Sequence, residues 1–339
     1  MRGTVLMGGV PSTKSSKNTA GLFANQNLKI TYRMSDFRFP ARYFKYRPTA
    51  VLKVTGEDAF PFLQGQFTQD IRPAQDEMRA VYGLWLNQKG KVLADSFLLR
   101  HGADWLCVSL FSAAKTIRER LETYIIADDV RVEDMTAQWA GMAVFGPGAV
   151  EFIEENVGGR PLGTGLVATT KHGFIFPGRR VAEPNWEWLY PMGGDETAMQ
   201  FGGPIGFAES ERLRIEALIP SVPRDVGSED LPNEGGLDRD AISYTKGCYL
   251  GQEVMARLKA MGQVRRRLMR LSGRMAPPEI LPASLFADGK RIGELRSAAP
   301  AEDGFVGLAM ISLFGLGQRK LLGLSPDGPA DLAITDNQE

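Results

Sequence analysis

Sulfur and imidazole are scarce in this sequence of 339 residues, which has two cysteines, Cys107 and Cys248, and two histidines, His101 and His172. Two cysteines so far apart cannot form a disulfide framework, and there is no Cys-x-x-Cys pair. The chain alone therefore cannot supply the sulfur- and imidazole-rich ligands of a zinc site or an iron–sulfur cluster, and we predict no metal site. Cys107 lies in an apolar stretch and is predicted to be a buried small hydrophobe.

An excess of charge of either sign is also absent, because 40 basic side chains balance 40 acidic ones. A neutral chain has no overall attraction to nucleic acid or to acidic membranes. No apolar run approaches the ~18 residues that suggest a transmembrane helix. The basic triplet of residues 265–267 is interpreted as a strand with solvated arginines rather than as a nucleic-acid contact. We therefore predict no direct nucleic-acid partner and no membrane partner.

Acidic residues are missing from residues 1–35, which carry five basic residues and many Gly, Ser, Thr and Asn. That composition is typical of a mitochondrial transit peptide, but Gly8, Pro11 and Gly21 would break the amphipathic helix. We predict that residues 1–35 are a disordered tail or a mis-called start, with Met34 as the true start. The expected compartment is the cytoplasm, or the mitochondrial matrix if residues 1–35 are a transit peptide.

The first third of the remaining chain has an α+β pattern with an antiparallel sheet. Residues 50–56 are typical of a strand, and Thr55 near its end would cap the helix that follows. Residues 80–100 predict a hairpin, since two apolar runs flank Asn-Gln-Lys-Gly and Gly90 suits a positive φ. A strand over residues 104–110 precedes a helix that Ser112 would cap.

The later part of the chain changes character at residue 265. Residues 209–220 predict a helix closed by its final proline. From residue 265 onward, short apolar runs alternate with Gly and Asp turns, as in a small β-barrel. We therefore predict one region of two α+β lobes over residues 36–264 and a C-terminal β-barrel over residues 265–330.

The stretch KGCYLGQE places Cys248 two residues after Lys246. A thiol reacts as its thiolate, and a nearby positive charge or helix N-terminus lowers its pKa. Gly251 lets the backbone approach a ligand, while Gln252 and Glu253 add polar groups to the first turn of a predicted helix. No histidine lies near as a general base, which argues against a Cys-His hydrolase. The alternative is an ordinary glycine turn with a buried cysteine.

This stretch, continued as KGCYLGQEVMAR, resembles the signature of the YgfZ family. These are tetrahydrofolate-binding proteins that help maintain iron–sulfur enzymes, including enzymes that modify tRNA. The segments VTGEDAFPFLQGQFTQDI, LNQKGKVLADSFLL, RLRIEALIP and DLPNEGGLD are similar to the family's and follow in its order. The resemblance implies the α+β fold of the aminomethyltransferase superfamily. That fold is a three-domain clover around a central folate channel, with a C-terminal β-barrel.

The resemblance also implies roles for two carboxylates. Glu216 matches the glutamate that hydrogen-bonds the pterin, a task that suits a carboxylate because it accepts two N–H bonds. Asp95 matches an aspartate that lies against the reactive nitrogen of folate in aminomethyltransferases. The chain departs from the pattern at Leu218, where the family has glycine. It also has Thr49 and Ser210 about where some members carry a tryptophan for folate contact.

The signature residues have implied roles as well. Cys248 would be a redox-active or cluster-contacting thiol near the channel mouth, and Lys246 would hold it as thiolate or bind an anionic partner group. Together with Asp95, these two form the predicted catalytic set. The predicted folate contacts are Glu216, Asp95, Tyr249, Gln252, Glu253 and Arg257, of which the last could pair with the glutamate tail of folate.

Three functions follow from these interpretations. The first is a tetrahydrofolate-binding accessory protein for the assembly or repair of iron–sulfur enzymes. Because one cysteine cannot hold a cluster, its partners would be folate and either an iron–sulfur client protein or a thiol partner. The second is a tetrahydrofolate-dependent aminomethyl- or methyltransferase in which Asp95 would assist proton transfer. The third is an interaction scaffold with a vestigial channel.

Overall fold

The structure is a computed structural model that describes residues 2–6, 29–33, 41–76, 79–157, 165–170, 172–193 and 202–335. Most of the predicted tail, including Met34, lies outside the described residues. Two pieces of it pair as antiparallel strands, β1 (Arg2–Leu6) and β2 (Lys29–Arg33). None of the described helices is long and apolar enough to span a bilayer.

The remaining elements fall into three consecutive groups along the chain. The first group consists of β3 (Arg42–Tyr46), β4 (Ala50–Thr55), α1 (Ala59–Gln66), α2 (Pro73–Asp76), β5 (Ala80–Leu86), β6 (Val92–His101), β7 (Asp104–Ser109), α3 (Ala114–Glu122) and β8 (Arg131–Asp134). The second consists of β9 (Trp139–Phe145), α4 (Ala149–Asn156), β10 (Ala168–Thr170), β11 (Gly173–Pro177), β12 (Asn185–Pro191), β13 (Gly203–Pro204), α5 (Phe207–Glu216) and α6 (Gln252–Met261). The third consists of β14 (Arg266–Gly273), β15 (Ala283–Ala287), β16 (Lys290–Ala301), β17 (Gly304–Ser312), α7 (Leu313–Leu316), β18 (Leu321–Leu322) and β19 (Leu332–Ile334).

The first two groups form two sheets that pack face to face. The first sheet has the order β5-β6-β7-β4-β8, and the second has the order β10-β11-β12-β9-β3-β13. Apolar side chains of both sheets, among them Phe97, Val108, Phe176 and Leu189, share one buried cluster. Because β3 belongs to the second sheet, the chain passes from that sheet into the first sheet and then returns to the second sheet at β9.

The predicted C-terminal barrel is confirmed. Its strands have the order β15-β16-β17-β14-β19-β18. Paired backbone hydrogen bonds of 2.9 and 3.0 Å between Phe286 and Gly323 join the two ends of this sheet. The predicted boundary at residue 265 lies immediately before β14.

The predicted hairpin is confirmed, whereas both predicted helix caps are wrong. Strands β5 and β6 pair across a turn in which Gly90 has φ +71°. Helix α1 begins at Ala59, so Thr55 is only the last residue of β4. Helix α3 begins at Ala114 without a side-chain cap, because the hydroxyl of Ser112 is engaged with Asp95.

Arg214, on the predicted helix that is observed as α5, joins three regions of the chain. Its buried guanidinium donates to both oxygens of Glu211 at 2.9 and 3.0 Å. It also donates to Asp225 Oδ2 at 2.8 Å, to the carbonyl of Ile219 at 2.6 Å, and to Ser297 Oγ on β16 at 3.2 Å. Helix α5, the segment after it and the barrel are therefore held by one side chain.

Glu211 shows the electrostatic effect of this network. Burial raises the pKa of its carboxyl, but the hydrogen bonds and charges of Arg214 and Arg224 outweigh burial and hold the pKa below its usual range. The carboxylate is therefore stabilised in its ionised form. Removing the arginine would leave two acidic side chains buried without their main partner.

We predict that Arg214→Met lowers the free energy of unfolding by about 3–5 kcal/mol, because it leaves the buried Asp225 without a cationic partner and Glu211 with Arg224 alone. Arg212→Met on the same helix removes a surface ion pair with Glu216 and should cost less than about 1 kcal/mol. Urea unfolding of both variants measures the difference. Equal losses would contradict the role given to Arg214.

Candidate functional site

A cavity of about 560 Å³, called here the central cavity, lies where α5, α6 and the barrel meet. Its walls come from the turn after α5 (residues 217–220) and from parts of the segment 233–244. The last turn of α6, the connection after it and the start of β14 contribute residues within the range 258–268. Arg179, just after β11, completes the lining. The volume lies within the range of roughly 300–1,000 Å³ that is usual for small-molecule sites.

A second, much smaller cavity lies beside Asp95 and is called here the Asp95 cavity. Its volume is about 10 Å³, which is room for about one water molecule. It shares Arg179, Ile219 and Pro220 with the central cavity. These three residues therefore form the wall between Asp95 and the central cavity.

Asp95 is buried and hydrogen-bonded by three hydroxyl groups. Tyr82 donates to Oδ2 at 2.9 Å, while Ser109 and Ser112 lie 3.1 and 2.7 Å from Oδ1. Burial raises the pKa of Asp95, and the hydrogen bonds from Ser112, Tyr82 and Ser109 oppose that increase. The carboxyl group is thus an acceptor inside the first lobe, next to the central cavity but not part of its lining.

Arg179 connects the two cavities and was not singled out by the sequence analysis. Its guanidinium carbon lies 4.3 Å from the ring centre of Tyr82, and Nη2 pairs with Asp240 Oδ2 at 2.8 Å. In the sequence it is the first of two consecutive arginines, Arg179 and Arg180. Only the tertiary fold brings it to Tyr82 and Asp240, which are far away along the chain.

Glu216 lies at the end of α5, immediately before the cavity lining, and is not itself among the lining residues. Its carboxylate pairs with Arg212 at 2.7 Å, and its backbone carbonyl accepts a hydrogen bond from Arg270 at 2.5 Å. Leu218 has φ +55° at the position where the family has glycine. This left-handed conformation is costly for a residue with a Cβ, by roughly 1–2 kcal/mol.

Lys246 is buried and fully hydrogen-bonded to the backbone. Its Nζ donates to the carbonyls of Gln64, Phe67 and Gln69 at 2.6, 2.7 and 3.0 Å. An ammonium group has three N–H donors, so none is left for a thiol. Burial lowers the pKa of Lys246 to about 8, and the charge of Asp70 opposes this shift. The geometry therefore gives Lys246 a structural contact with the end of α1, whereas the sequence predicts that it holds the thiolate or binds an anionic partner group.

The residues after Cys248 pack the same loop against the hairpin turn. The N–H of Leu250 donates to the carbonyl of Gly65 at 3.3 Å. Gly251 has φ +86°, and a Cβ there would lie 3.0 Å from the carbonyl oxygen of Asn87. The hairpin turn and the cysteine loop are therefore in direct contact, although they lie far apart in the sequence.

The remaining signature residues have different environments. The Cys248 side chain is exposed and does not line the central cavity, whereas Cys107 is buried as predicted. Tyr249 belongs to the core, and its buried hydroxyl has no hydrogen-bond partner within the described ranges. Glu253 and Arg257 are exposed on α6 and Gln252 is half-buried at its start. Tyr249, Gln252, Glu253 and Arg257 all lie outside the lining of the central cavity. The lining in this part of the chain consists of Tyr244, Leu258 and Lys259.

The basic triplet before and within β14 has divided roles. Arg266 is half-buried and pairs with Glu234 at 2.9 Å and with Asp230 at 3.1 Å. Arg267 is exposed and lines the central cavity, and Arg265 is exposed outside it. The interpretation as solvated arginines is therefore correct for Arg265 and Arg267 and wrong for Arg266.

Comparison with known proteins identifies relatives of two kinds. Residues 37–162 match the family described as the GCVT N-terminal domain. The chain is 28% identical over 291 residues to the mitochondrial iron–sulfur cluster assembly factor IBA57 of Mus musculus, a match that covers 79% of this chain and 76% of that protein. It is 26% identical over 306 residues to the tRNA-modifying protein YgfZ of Sodalis glossinidius, covering 84% and 89%.

A plant relative is matched over a smaller share of its length. The chain is 28% identical over 272 residues to a chloroplastic Arabidopsis thaliana protein named as a transferase, covering 75% of this chain and 60% of that protein. Among solved structures, the glycine cleavage system aminomethyltransferase T of Bartonella henselae superposes with a TM-score of 0.72. The match has 19% identity and covers 88% of this chain and 85% of that one. The predicted aminomethyltransferase-like α+β fold is confirmed.

We predict that Lys246→Met lowers the free energy of unfolding by about 3 kcal/mol, because one buried and two half-buried backbone carbonyls lose their donor. The difference between wild type and variant should also depend on pH. The folded protein releases the Lys246 proton near pH 8, whereas the unfolded chain holds it to about pH 10.5. Between these values the unfolded chain binds more protons, so the wild type gains stability as pH rises.

Urea unfolding at pH 7, 8 and 9.5 measures both effects, with the exposed Lys89→Met as the matched control. The control should cost less than about 0.5 kcal/mol. A Lys246→Met variant as stable as the control at pH 7 would show that the three carbonyl contacts are not the support of this loop.

Proposed function

Because the chain is a member of the YgfZ family within the aminomethyltransferase superfamily, we propose that it binds tetrahydrofolate and acts as an accessory protein in the assembly or repair of iron–sulfur enzymes. Enzymes that modify tRNA are among the proposed clients. The observation that carries the folate part is the central cavity of about 560 Å³, which is lined by the turn after α5, the last turn of α6 and the start of β14. Its walls include residues of the segments that carry the family resemblance.

The lining fits tetrahydrofolate in three respects. Ile219, Leu258 and Leu268 give apolar surface for a flat ring system. Asn233, in the same wall, has a buried amide oxygen without a hydrogen-bond partner in the described part of the chain, so it can accept from a pterin N–H. Exposed cations at the opening suit an anionic tail. Bound tetrahydrofolate would supply a carrier of one-carbon units.

The predicted carboxylates have different relations to this cavity. Glu216 stands one residue before the lining, so it would contact a pterin by exchanging its ion pair with Arg212 for ligand N–H groups. Asp95 lies behind the wall of Arg179, Ile219 and Pro220. We therefore propose that Asp95 sets the position and hydrogen bonding of Tyr82, on which Arg179 stacks.

Cys248 is proposed to act on partners rather than on the folate. Its loop is anchored by Lys246 and Gly251, while the thiol itself is exposed. An exposed thiol can add one ligand to a cluster held mainly by a client, or form a reversible disulfide with an oxidised thiol partner. This assignment keeps the thiol chemistry outside the central cavity.

The transferase alternative requires Asp95 at the reacting atoms, and the structure gives no observation in favour of it. The Asp95 cavity has room for about one water molecule, and three hydroxyls already bond the carboxylate. The compartment is proposed to be the cytoplasm, in line with the similarity to bacterial YgfZ proteins. The mitochondrial matrix is the alternative, since the IBA57 relatives are named as mitochondrial.

We predict that Ala217→Trp weakens tetrahydrofolate binding at least tenfold, because an indole would fill part of the central cavity. Ala260→Trp, exposed on α6 outside the lining, is the matched control and should leave binding unchanged. Isothermal titration calorimetry of the wild type and both variants measures the affinities, and circular dichroism checks folding. Equal affinities for all three proteins would place folate elsewhere.

A second prediction concerns the thiol. In cells depleted of the native gene, Cys248→Ala should fail to restore the activity of radical iron–sulfur enzymes, whereas Thr245→Ala in the same exposed loop should restore it. Protein abundance is measured alongside, because both changes are on the surface and should not affect folding. Full activity with Cys248→Ala would remove the thiol from the mechanism.

A further inference from the structure

One residue in the wall of the central cavity has a backbone conformation that its own side chain makes unfavourable. Leu218 has φ +55°, and within the part of the chain that the structure describes only one other non-glycine residue, Asp288, has a positive φ. In this left-handed region the Cβ of an L-residue lies too close to the following carbonyl oxygen, a clash that glycine avoids. A leucine at this position therefore lowers the stability of the fold.

The end of α5 imposes this conformation on Leu218. The N–H of Leu218 donates to the carbonyl of Ile215 at 2.9 Å, and the N–H of Ile219 donates to the carbonyl of Arg214 at 3.1 Å. With Ala217 as the C-cap, these two bonds form a Schellman motif. The residue after the C-cap in this motif is left-handed and is usually glycine.

Two arginine side chains hold the turn on either side of Leu218. Arg270 on β14 donates to the carbonyl of Glu216 at 2.5 Å, and the buried Arg214 donates to the carbonyl of Ile219 at 2.6 Å. A different backbone conformation at Leu218 would disturb both contacts. The strain therefore persists because the surrounding structure fixes the turn.

The leucine side chain contributes little to the packed core in return. It is 39% exposed, and it belongs to none of the buried hydrophobic clusters formed by the described residues. Instead it lines the central cavity, next to Ile219. Strained residues are concentrated at ligand contacts and other functional sites, so this combination of strain, exposure and position indicates a role in binding.

We propose that Leu218 is a ligand-binding residue of the central cavity, and that the strained turn holds its side chain against the ring system of the bound folate. This inference rests on the proposed folate binding and names a residue that contributes to the affinity. The ring covers the exposed part of the leucine, and the removal of this apolar surface from water favours binding. Because the turn is fixed before the ligand arrives, little further ordering of the backbone is needed.

Two substitutions separate the effect of the side chain from that of the backbone. Leu218→Ala removes most of the apolar contact but keeps a Cβ in the left-handed region, whereas Leu218→Gly removes both. Loss of the contact predicts that each variant binds tetrahydrofolate about fivefold more weakly than the wild type. The unfolding equilibrium constant should be about fivefold lower for Leu218→Gly than for Leu218→Ala, because relief of the strain outweighs the greater freedom of glycine in the unfolded chain.

The experiment measures two quantities for the full chain: the Kd for tetrahydrofolate by calorimetric titration, and the unfolding equilibrium constant in urea without ligand. Leu218→Met keeps an apolar side chain in the cavity and should bind within about twofold of the wild type. The matched control is Leu321→Ala, which truncates a leucine that is 50% exposed on β18 outside the lining. Its Kd should also stay within about twofold of the wild-type value.

The result expected for a ligand contact is equal loss of affinity in Leu218→Ala and Leu218→Gly, although the glycine variant is the more stable of the two. If the side chain only supported the turn, affinity would follow stability and the glycine variant would bind better than the alanine variant. That outcome, or a wild-type Kd in Leu218→Ala, would overturn the inference while leaving folate binding intact. Equal stability of the two variants would overturn the strain assigned to Leu218. Failure of tetrahydrofolate to bind the wild type would instead overturn the proposed function itself.

Discussion

The buried guanidinium of Arg214 is the contact on which the site depends. It bonds Glu211 on its own helix, the carbonyl of Ile219 and the carboxylate of Asp225 after that helix, and Ser297 on the barrel. The turn of residues 217–220, which is a wall of the central cavity, contains Ile219 and lies between Glu211 and Asp225 in the chain. A shift of the barrel relative to α5 would therefore change the shape of the cavity.

Helix α6 separates the two proposed sites, the thiol and the folate cavity, while keeping them on one rigid element. Its first residue follows the loop that exposes Cys248, and its last turn contributes Leu258 and Lys259 to the central cavity. Ten residues of α-helix span about 15 Å. Lys246 and Gly251 anchor the amino end to α1 and to the hairpin turn. This spacing is compatible with the proposal that the thiol meets a large partner at the surface while folate occupies the cavity.

Features with a strong local signal could be predicted from the sequence, and features produced by tertiary packing could not. The hairpin was predictable because Gly90 and its neighbours specify the turn by themselves, and the barrel because its short strands alternate with turns. Ser112 looked like a helix cap, but its hydroxyl is committed to Asp95 from a distant strand. Arg179 gave no local signal because its partners, Tyr82 and Asp240, meet it only in the folded chain. The cysteine motif marked an important loop, but its lysine proved to be bonded to backbone carbonyls.

The central claim is that the cavity between α5, α6 and the barrel is the folate site. A crystal structure of the protein grown with saturating tetrahydrofolate tests it most directly. The account predicts ligand density inside the central cavity, with the ring system near Ile219 and Asn233 and the glutamate directed toward Lys259 and Arg267. Ligand bound at another surface, or a central cavity that stays empty at saturation, would contradict it.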